Sequence, residues 1–288
     1  MKKLLLTSVC LLAFLQVYSQ SATPSGWAAA QKSRQATIIV NYFQSPMFSY
    51  SASTKDKPKG ICVDLIENFA KYVSTKKGVQ VNVEYRGYDG FSKFYEATKN
   101  SPNGTFGIGS ITITEARKKE VQFSPAFIQS ANFLLSHNSV PTLRKLELMS
   151  KDFAGMTAYT AKNTTNAARL EALKKQYMPD MQIKYLESSL EVLRAIVQDP
   201  KGFTYLDFIY YNDALRDNLP IKRHPIGDVS NEEFGIIMPM SSDWLPIVQE
   251  FFSEQGMNYR NSNEYKKSLH MHLGESAVKL LGSLEKKG

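Results

Sequence analysis

The strongest constraint in this sequence is an alternation of short apolar runs with helical stripes that plays through twice. Ala36–Phe43 (ATIIVNYF) is a continuous apolar run of the kind needed by a strand covered on both faces. Val63–Lys76 carries apolar side chains at 63, 65, 66, 69, 70 and 73, which line up as one helical stripe. Val79–Tyr85 alternates as a strand, Gly90–Lys99 reads as a short helix, and Thr105–Ile111 is a further strand, with another at Ala131–Ser136. The order then restarts: strand Gly155–Thr160, helix Thr165–Tyr177, strand Gln182–Leu186, and helix Ser188–Gln198 capped by Ser188 or Ser189. Strand Phe203–Leu206, helix Phe208–Arg216 and strand Ile221–Ile226 complete the second run. A helix from Ser241 or Ser242 through Phe252, then helices at Asn263–Leu273 and Glu275–Leu284, close the chain. Strands separated by helices pair in parallel, so the expected class is α/β with parallel-type sheets. At 288 residues the chain is long for one core and comfortable for two lobes.

Polar or returning passages at His137–Pro141 and Phe234–Met238 read as the two crossings between lobes. The expected division is a leader at 1–19, a discontinuous first lobe at 20–135 and 236–288, and a second lobe at 136–235 that includes the crossings. The leader has Lys2 and Lys3 before the apolar run Leu4–Leu15, then Val17-Tyr18-Ser19 before Gln20, the pattern of a cleavable secretory signal. Thr7-Ser8-Val9 ahead of Cys10 is a poor lipidation site. No later stretch is apolar enough to cross a bilayer, so export as a soluble protein is expected.

The net charge of +8 is spread without a basic run interleaved with aromatics, which argues against nucleic acid as a partner. Cys62 is the one cysteine outside the leader and sits in an apolar run, as a buried thiol would. The four histidines lack metal-ligand spacing, and no cofactor motif is present.

One stretch carries chemistry. Gly109–Ser130 (GSITITEARKKEVQFSPAFIQS) runs from a strand rich in small hydroxyl residues into a charged helix with Arg117 in its first turn. A helix start is electropositive, so a guanidinium there runs against preference unless an anion sits over it. Arg117 gripping such an anion bidentately, with Ser110 and Thr112 beside it, is one reading; a salt bridge to a surface acid is the plain alternative.

These residues resemble the signature of the bacterial extracellular solute-binding proteins of family 3. GSITITEARKKEVQFSPAF looks like that family's small-residue strand, its Arg-bearing turn and its Phe-Ser corner. Gly60–Leu65, Phe203–Asp207 and Gly235–Met238 look like three further family segments in the same order. The resemblance implies a type II periplasmic-binding-protein-like fold: two βαβ lobes joined by a two-strand hinge. It implies a monomeric periplasmic receptor that delivers an amino acid or related carboxylate to an ABC permease, with no cofactor.

Carried over by residue, Arg117 would hold the ligand α-carboxylate with Ser110 and Thr112, and Asp207 the α-ammonium. Thr164 and Thr165 would offer donors from lobe two, and Tyr88 and Tyr42 would pack near the ligand side chain. Asp207, Thr164 and Thr165 are also placed to cap helices, and both tyrosines could be plain core or surface aromatics. Asn163 stands where the family has a turn glycine, and Asn tolerates the left-handed backbone such a turn needs. The first strand offers no carboxylate, which disfavours a cationic ligand side chain. An enzyme on the same scaffold, similar to cyclohexadienyl or arogenate dehydratases, and a ligand-sensing receptor stay open as alternatives.

Overall fold

β1 (Gln35–Phe43) is covered on both faces, as its apolar run requires. Ala36, Ile38, Val40 and Tyr42 enter a large core that includes Ile66 and Phe69 of α2 (Ile61–Tyr72). On the other face, Asn41 donates to Thr98 Oγ1 at 3.2 Å and Phe43 packs on Phe91 and Phe94. The computed structural model describes residues 23–53 and 56–285; the leader expected at 1–19 lies outside them.

Around β1 the first lobe assembles from α1 (Trp27–Ser33), α2, β2 (Gln80–Tyr88), α3 (Phe91–Lys99), β3 (Thr105–Ile108), the one-turn α4 (Glu115–Lys118) and β4 (Val121–Phe123). α2 starts abruptly because the N–H groups of Ile61 and Cys62 donate to the carbonyls of Met47 and Phe48 at 2.9 and 3.0 Å. That approach needs Gly60, whose φ is 127°; a Cβ there would lie 2.4 Å from Phe48 O. Cys62 behind it is buried, and that burial pushes its thiol pKa far up.

The second lobe holds β5 (Ile128–His137), α5 (Met149–Asp152), β6 (Thr157–Ala161), α6 (Thr165–Tyr177), β7 (Gln182–Leu186), α7 (Ser189–Gln198), β8 (Gly202–Asp207), α8 (Phe208–Arg216), β9 (Ile221–Arg223) and β10 (Val229–Phe234). β11 (Ile237–Pro239) returns to the first sheet, and α9 (Leu245–Phe252) and α10 (Asn263–Glu285) finish the chain. α10 breaks at Gly274 (φ 76°, ψ 165°), where the sequence predicts two helices.

The first sheet runs β2-β1-β3-β11-β4, parallel except at β11. The second runs β10-β5-β8-β6-β7 with β9 also on β5; β5 is antiparallel to its neighbours and the β7-β6-β8 part is parallel. Among the described residues no helix is long and apolar enough to cross a membrane, and no group of His, Cys, Asp and Glu could hold a metal ion.

The outward crossing falls earlier in the chain than its composition suggests. β5 already pairs with β10 at Ile128, so residues 128–135, expected in the first lobe, hydrogen-bond into the second sheet. His137–Pro141 is not a linker: Val140 is buried with Phe153, and Asn138 N–H donates to Pro220 O at 2.8 Å. Polar residues and a proline mark a turn equally well inside a lobe and between lobes, which is why composition misplaces this crossing.

The outward and return crossings, around Ser124–Phe127 and Gly235–Ile236, are bonded to each other. Ser124 N–H donates to Ile236 O at 2.9 Å, Ser124 Oγ accepts from Ile236 N–H at 3.0 Å, and Phe127 N–H donates to Phe234 O at 3.0 Å. Ser124→Ala strands the buried Ile236 N–H, and urea unfolding is expected to show a loss of about 1–3 kcal/mol. Unchanged stability would mean that this bond does not hold the crossings together.

Candidate functional site

The two lobes meet over a small cavity at the carboxyl ends of their strands, where open α/β sheets place ligands. Lobe one contributes Phe43, Phe91, Ser110, Thr112 and Arg117; lobe two contributes Thr164, Thr165, Asn166, Ser189 and Asp207. It encloses about 20 Å³, room for about one water. A wider pocket of about 410 Å³ lies on the other side of Arg117, between Tyr95, Glu96 and Glu120 of lobe one and Asn163 of lobe two. A groove of about 470 Å³ at the far end of β1 and β2 is larger, but no charged side chain lines it.

The path to Arg117 leaves β3 through Gly109 and ends in α4, whose cap Thr114 accepts from Arg117 N–H at 3.2 Å. This corrects the expected cradle. α4 is a single turn and a first-turn N–H is already occupied, so the group this turn presents to the cavity is the guanidinium rather than the helix start. Arg117 donates through Nη1 to Thr112 O at 3.0 Å and through Nη2 to Asn163 O at 3.4 Å. Its guanidinium lies 4.6 Å from the Phe91 ring centre and 5.7 Å from that of Tyr95. Among the described residues it forms no ion pair within 4.0 Å, so the surface-salt-bridge alternative is not what the structure holds. Burial pushes its pKa down, with Tyr95 and Asp207 opposing, and a guanidinium stays charged regardless.

Asp207 ends β8 on the opposite wall, 8 % exposed. It occupies the N-cap position of α8, yet its side chain makes no capping bond, which leaves the carboxylate turned to other partners. Those partners are Ser110 from lobe one and Asn132, which stands directly across from it on β5. Burial pushes its pKa up to about 6 against the pull of Arg169, both hydrogen bonds and Arg117. Among the described residues this buried carboxylate has no contacting cation.

The other expected residues divide. Ser110 faces the cavity and accepts from Ser45 Oγ at 3.0 Å. Thr112 lines it too and meets Arg117 through its carbonyl. Thr165 lines it at the first turn of α6. Thr164 also lines it, but its hydroxyl is committed to capping α6: it accepts from Ala167 N–H at 3.2 Å and donates to Ala161 O at 2.8 Å. Asn163 adopts the left-handed conformation its turn requires, φ 59°.

Tyr42 and Tyr88 are absent from the cavity wall. Tyr42 points into the core of lobe one, because alternation along β1 sends its neighbour Phe43 to the cleft instead. Tyr88 pairs with Phe43 across β1 and β2 and packs at the edge of the Phe43–Phe91–Phe94 cluster.

Sequence reasoning missed Phe43, Phe91, Asn166 and Ser189 on the wall, and Arg169, Glu232 and Asn132 behind it. Strand alternation was signal enough to choose Phe43 over Tyr42. Arg169 follows Thr165 by one helical turn, which could have pointed to it. Glu232 lies far off in sequence on β10, and nothing local connects it to the site.

The lobes touch around this site. Asn163 Nδ2 donates to Ser92 Oγ at 2.7 Å, and the buried Tyr210 of α8 lies close to Ser45 of lobe one and Ser189 of lobe two. At Gly90 (φ 80°) a Cβ would lie 2.3 Å from Glu187 O of the other lobe, so the close approach requires glycine.

The family described as bacterial extracellular solute-binding proteins, family 3, matches residues 38–268. The glutamine-binding protein of Geobacillus stearothermophilus is 27% identical over 170 residues, which span 57% of this chain and 58% of that protein. An ABC uptake transporter substrate-binding protein from Streptococcus pneumoniae, solved with bound histidine, superposes with a TM-score of 0.66 at 18% identity, covering 87% of this chain and 97% of that one. An ancestral amino-acid-binding protein described as a precursor of cyclohexadienyl dehydratase superposes with a TM-score of 0.63 at 18% identity, covering 82% and 95%. The fold is that of the type II periplasmic binding proteins.

Two outcomes follow from the site's chemistry. Thr164→Ala is expected to lower stability by about 1 kcal/mol, with Thr164→Ser close to wild type, as an N-cap predicts and thermal melts can measure. Because the Asp207 pKa is raised on folding, its contribution is fully present below its ordinary value near 3.8 and is lost as pH rises through about 6. Relative to Asp207→Asn, the free wild-type protein should therefore lose on the order of 3 kcal/mol across that window. Parallel pH–stability curves for the two proteins would exclude a raised Asp207.

Proposed function

The chain belongs to the bacterial extracellular solute-binding proteins, family 3, and from that premise we propose that it captures a single α-amino acid between its lobes and delivers it to the membrane permease of an ABC importer. The observation that carries this reading is a pair of opposite charges on facing walls of one cavity. Among the described residues Arg117 is a cation without an anionic contact and Asp207 an anion without a cationic one. An α-amino acid supplies both missing partners at once: its carboxylate to the guanidinium fork and its ammonium to Asp207. Ser110 and Thr112 flank the first contact, and the α6 start at Thr165 offers backbone donors to the second lobe's side of the carboxylate. Thr164 shapes that turn through its cap.

The wall next to these charges is Phe43, Phe91, Asn166 and Ser189, and Asp207 is its one carboxylate. That lining favours a neutral side chain over a cationic one. The similarity to binding proteins for glutamine and for histidine supports an amino acid as the class.

Because the cavity encloses so little space, entry requires the lobes to part. In this reading lobe one is residues 23–123 and 237–285, lobe two is 128–234, and the bonded crossings at Ser124–Phe127 and Gly235–Ile236 flex between them. A ligand that ties Arg117 to Asp207 binds the closed form better and shifts the population toward it. The receptor acts as a monomer in the periplasm, reached through the expected leader, and its role is capture rather than catalysis.

Arg117→Ala is expected to abolish calorimetrically detectable amino-acid binding, a loss of about 2–5 kcal/mol, while circular dichroism stays native. Retained affinity in that variant would sink the assignment. Amino-acid affinity should also fall about tenfold per unit as pH drops below about 6, because a neutral Asp207 no longer attracts the ammonium. A second reading, an enzyme on this scaffold, is favoured by one observation: a carboxyl with its pKa raised to about 6 is suited to general-acid work. Purified protein is expected to give no aromatic product from cyclohexadienyl acids, and product formation would establish that reading instead.

A further inference from the structure

Behind Asp207 lies a buried polar network that contacts neither cavity directly. β10, β5 and β8 are neighbours in the second sheet. Glu232 stands opposite Ser130, and Asn132 stands opposite Asp207. Ser130 and Asn132 are two apart on β5 and share a face, so Glu232, Asn132 and Asp207 step across one face of the sheet. All three are buried, Asn132 completely. The Asn132 amide donates to Glu232 Oε2 and stands directly across from Asp207, so one amide lies between two carboxylates. Arg169, from α6, ion-pairs with Glu232 and donates through Nη1 to Asn166 Oδ1 at 2.8 Å.

Glu232 reaches this face only through an irregularity. Between Val229 and Glu232 the β10–β5 register shifts, so three steps on β10 span two on β5. A regular ladder would place Glu232 opposite Gln129 and turn it to the other face.

The charged and titratable groups around Asp207 are Arg117 from lobe one, Arg169 from α6, Tyr210 from α8 and Glu232 from β10. Arg169 and Asp207 are close enough for each to feel the other's charge, yet the Arg169 ion pair is with Glu232. A half-buried guanidinium deprived of Glu232 would turn to the nearest remaining anion, since an uncompensated charge there is strongly unfavourable. That anion is Asp207.

We propose that Glu232 is a positioning residue: by engaging Arg169 it keeps that guanidinium off Asp207, leaving the Asp207 carboxylate free for the ammonium of an incoming amino acid. The inference rests on the amino-acid reading above for its consequence, but the restraint on Arg169 exists without a ligand. Arg169 is thereby a latent competitor for the ammonium site. Specificity for α-amino acids over simple carboxylates depends on a residue of the return-crossing strand that touches no ligand.

Glu232→Gln preserves shape and the Asn132 bond and removes the charge. In the ligand-free protein, the Asp207 carboxyl carbon, assigned by its disappearance in Asp207→Asn, is titrated by NMR. Its midpoint is expected to fall by about one pH unit in E232Q as Arg169 pairs with it, and to rise again in the double variant R169M/E232Q, which has no competing guanidinium. In parallel, calorimetry compares L-glutamine with 4-carbamoylbutanoate, the same molecule without its ammonium. E232Q should lose about tenfold in the ratio of the two affinities, and R169M/E232Q should recover it.

An unchanged Asp207 midpoint in E232Q, or a double variant no different from E232Q, overturns the proposal. If wild-type protein binds neither probe, glutamine is not the captured amino acid, and the NMR titration still decides the role of Glu232. Should E232Q not fold, Glu232→Asp, one methylene short of Arg169, is expected to shift both readouts in the same directions, and no shift in it overturns the proposal.

Discussion

Everything around the cleft depends on holding Arg117 and Asp207 on facing walls without letting either find a permanent opposite charge. In low dielectric such groups attract strongly, and pairing them internally would be the simplest way to reduce their burial cost. The structure instead gives each neutral company. Arg117 has two carbonyls and two aromatic faces, and Asp207 has a hydroxyl and an amide. Contacts with neutral partners offset part of the desolvation while leaving each charge without an opposite one in contact. The raised pKa of Asp207 is the residue of that incomplete compensation.

This arrangement requires walls from two sheets that can come together. β1, with both faces covered, delivers Phe43 to the cleft from lobe one, and β8 ends at Asp207 in lobe two. The chain passes between the sheets twice, through segments bonded to each other at Ser124 and Ile236. The connection is therefore short, and its two segments are paired to each other. The contacts of Asn163 with Ser92 and Arg117 across the cleft are hydrogen bonds between polar groups.

Much of the layout was legible beforehand. The alternating pattern announced α/β lobes, Gly274 announced the break in the last helix, and the left-handed turn at Asn163 followed from its residue type. The failures have physical causes. Resemblance to the family placed Tyr42 near the ligand, with a core aromatic as the alternative; strand parity decides direction and turns it into the core. The outward crossing was read from polar composition at His137–Pro141, whereas the hydrogen-bond ladder of β5 begins at Ile128, nine residues before His137. Thr164 was open to either role, and the geometry of the first turn of α6 committed its hydroxyl to the cap.

By itself the sequence determined the period of each element, the residue types able to grip a carboxylate or an ammonium, and the family to which the chain belongs. Those properties are local or short-range, so they survive in one dimension. Only the tertiary structure decided that Asp207 leaves its helix uncapped and that Arg117 stacks on Phe91 rather than pairing with an acid. It alone also showed that a register shift in β10 turns Glu232 toward Arg169. Each of these depends on which strands become neighbours and on their register, and a one-residue slip, invisible in composition, reverses every side chain's face.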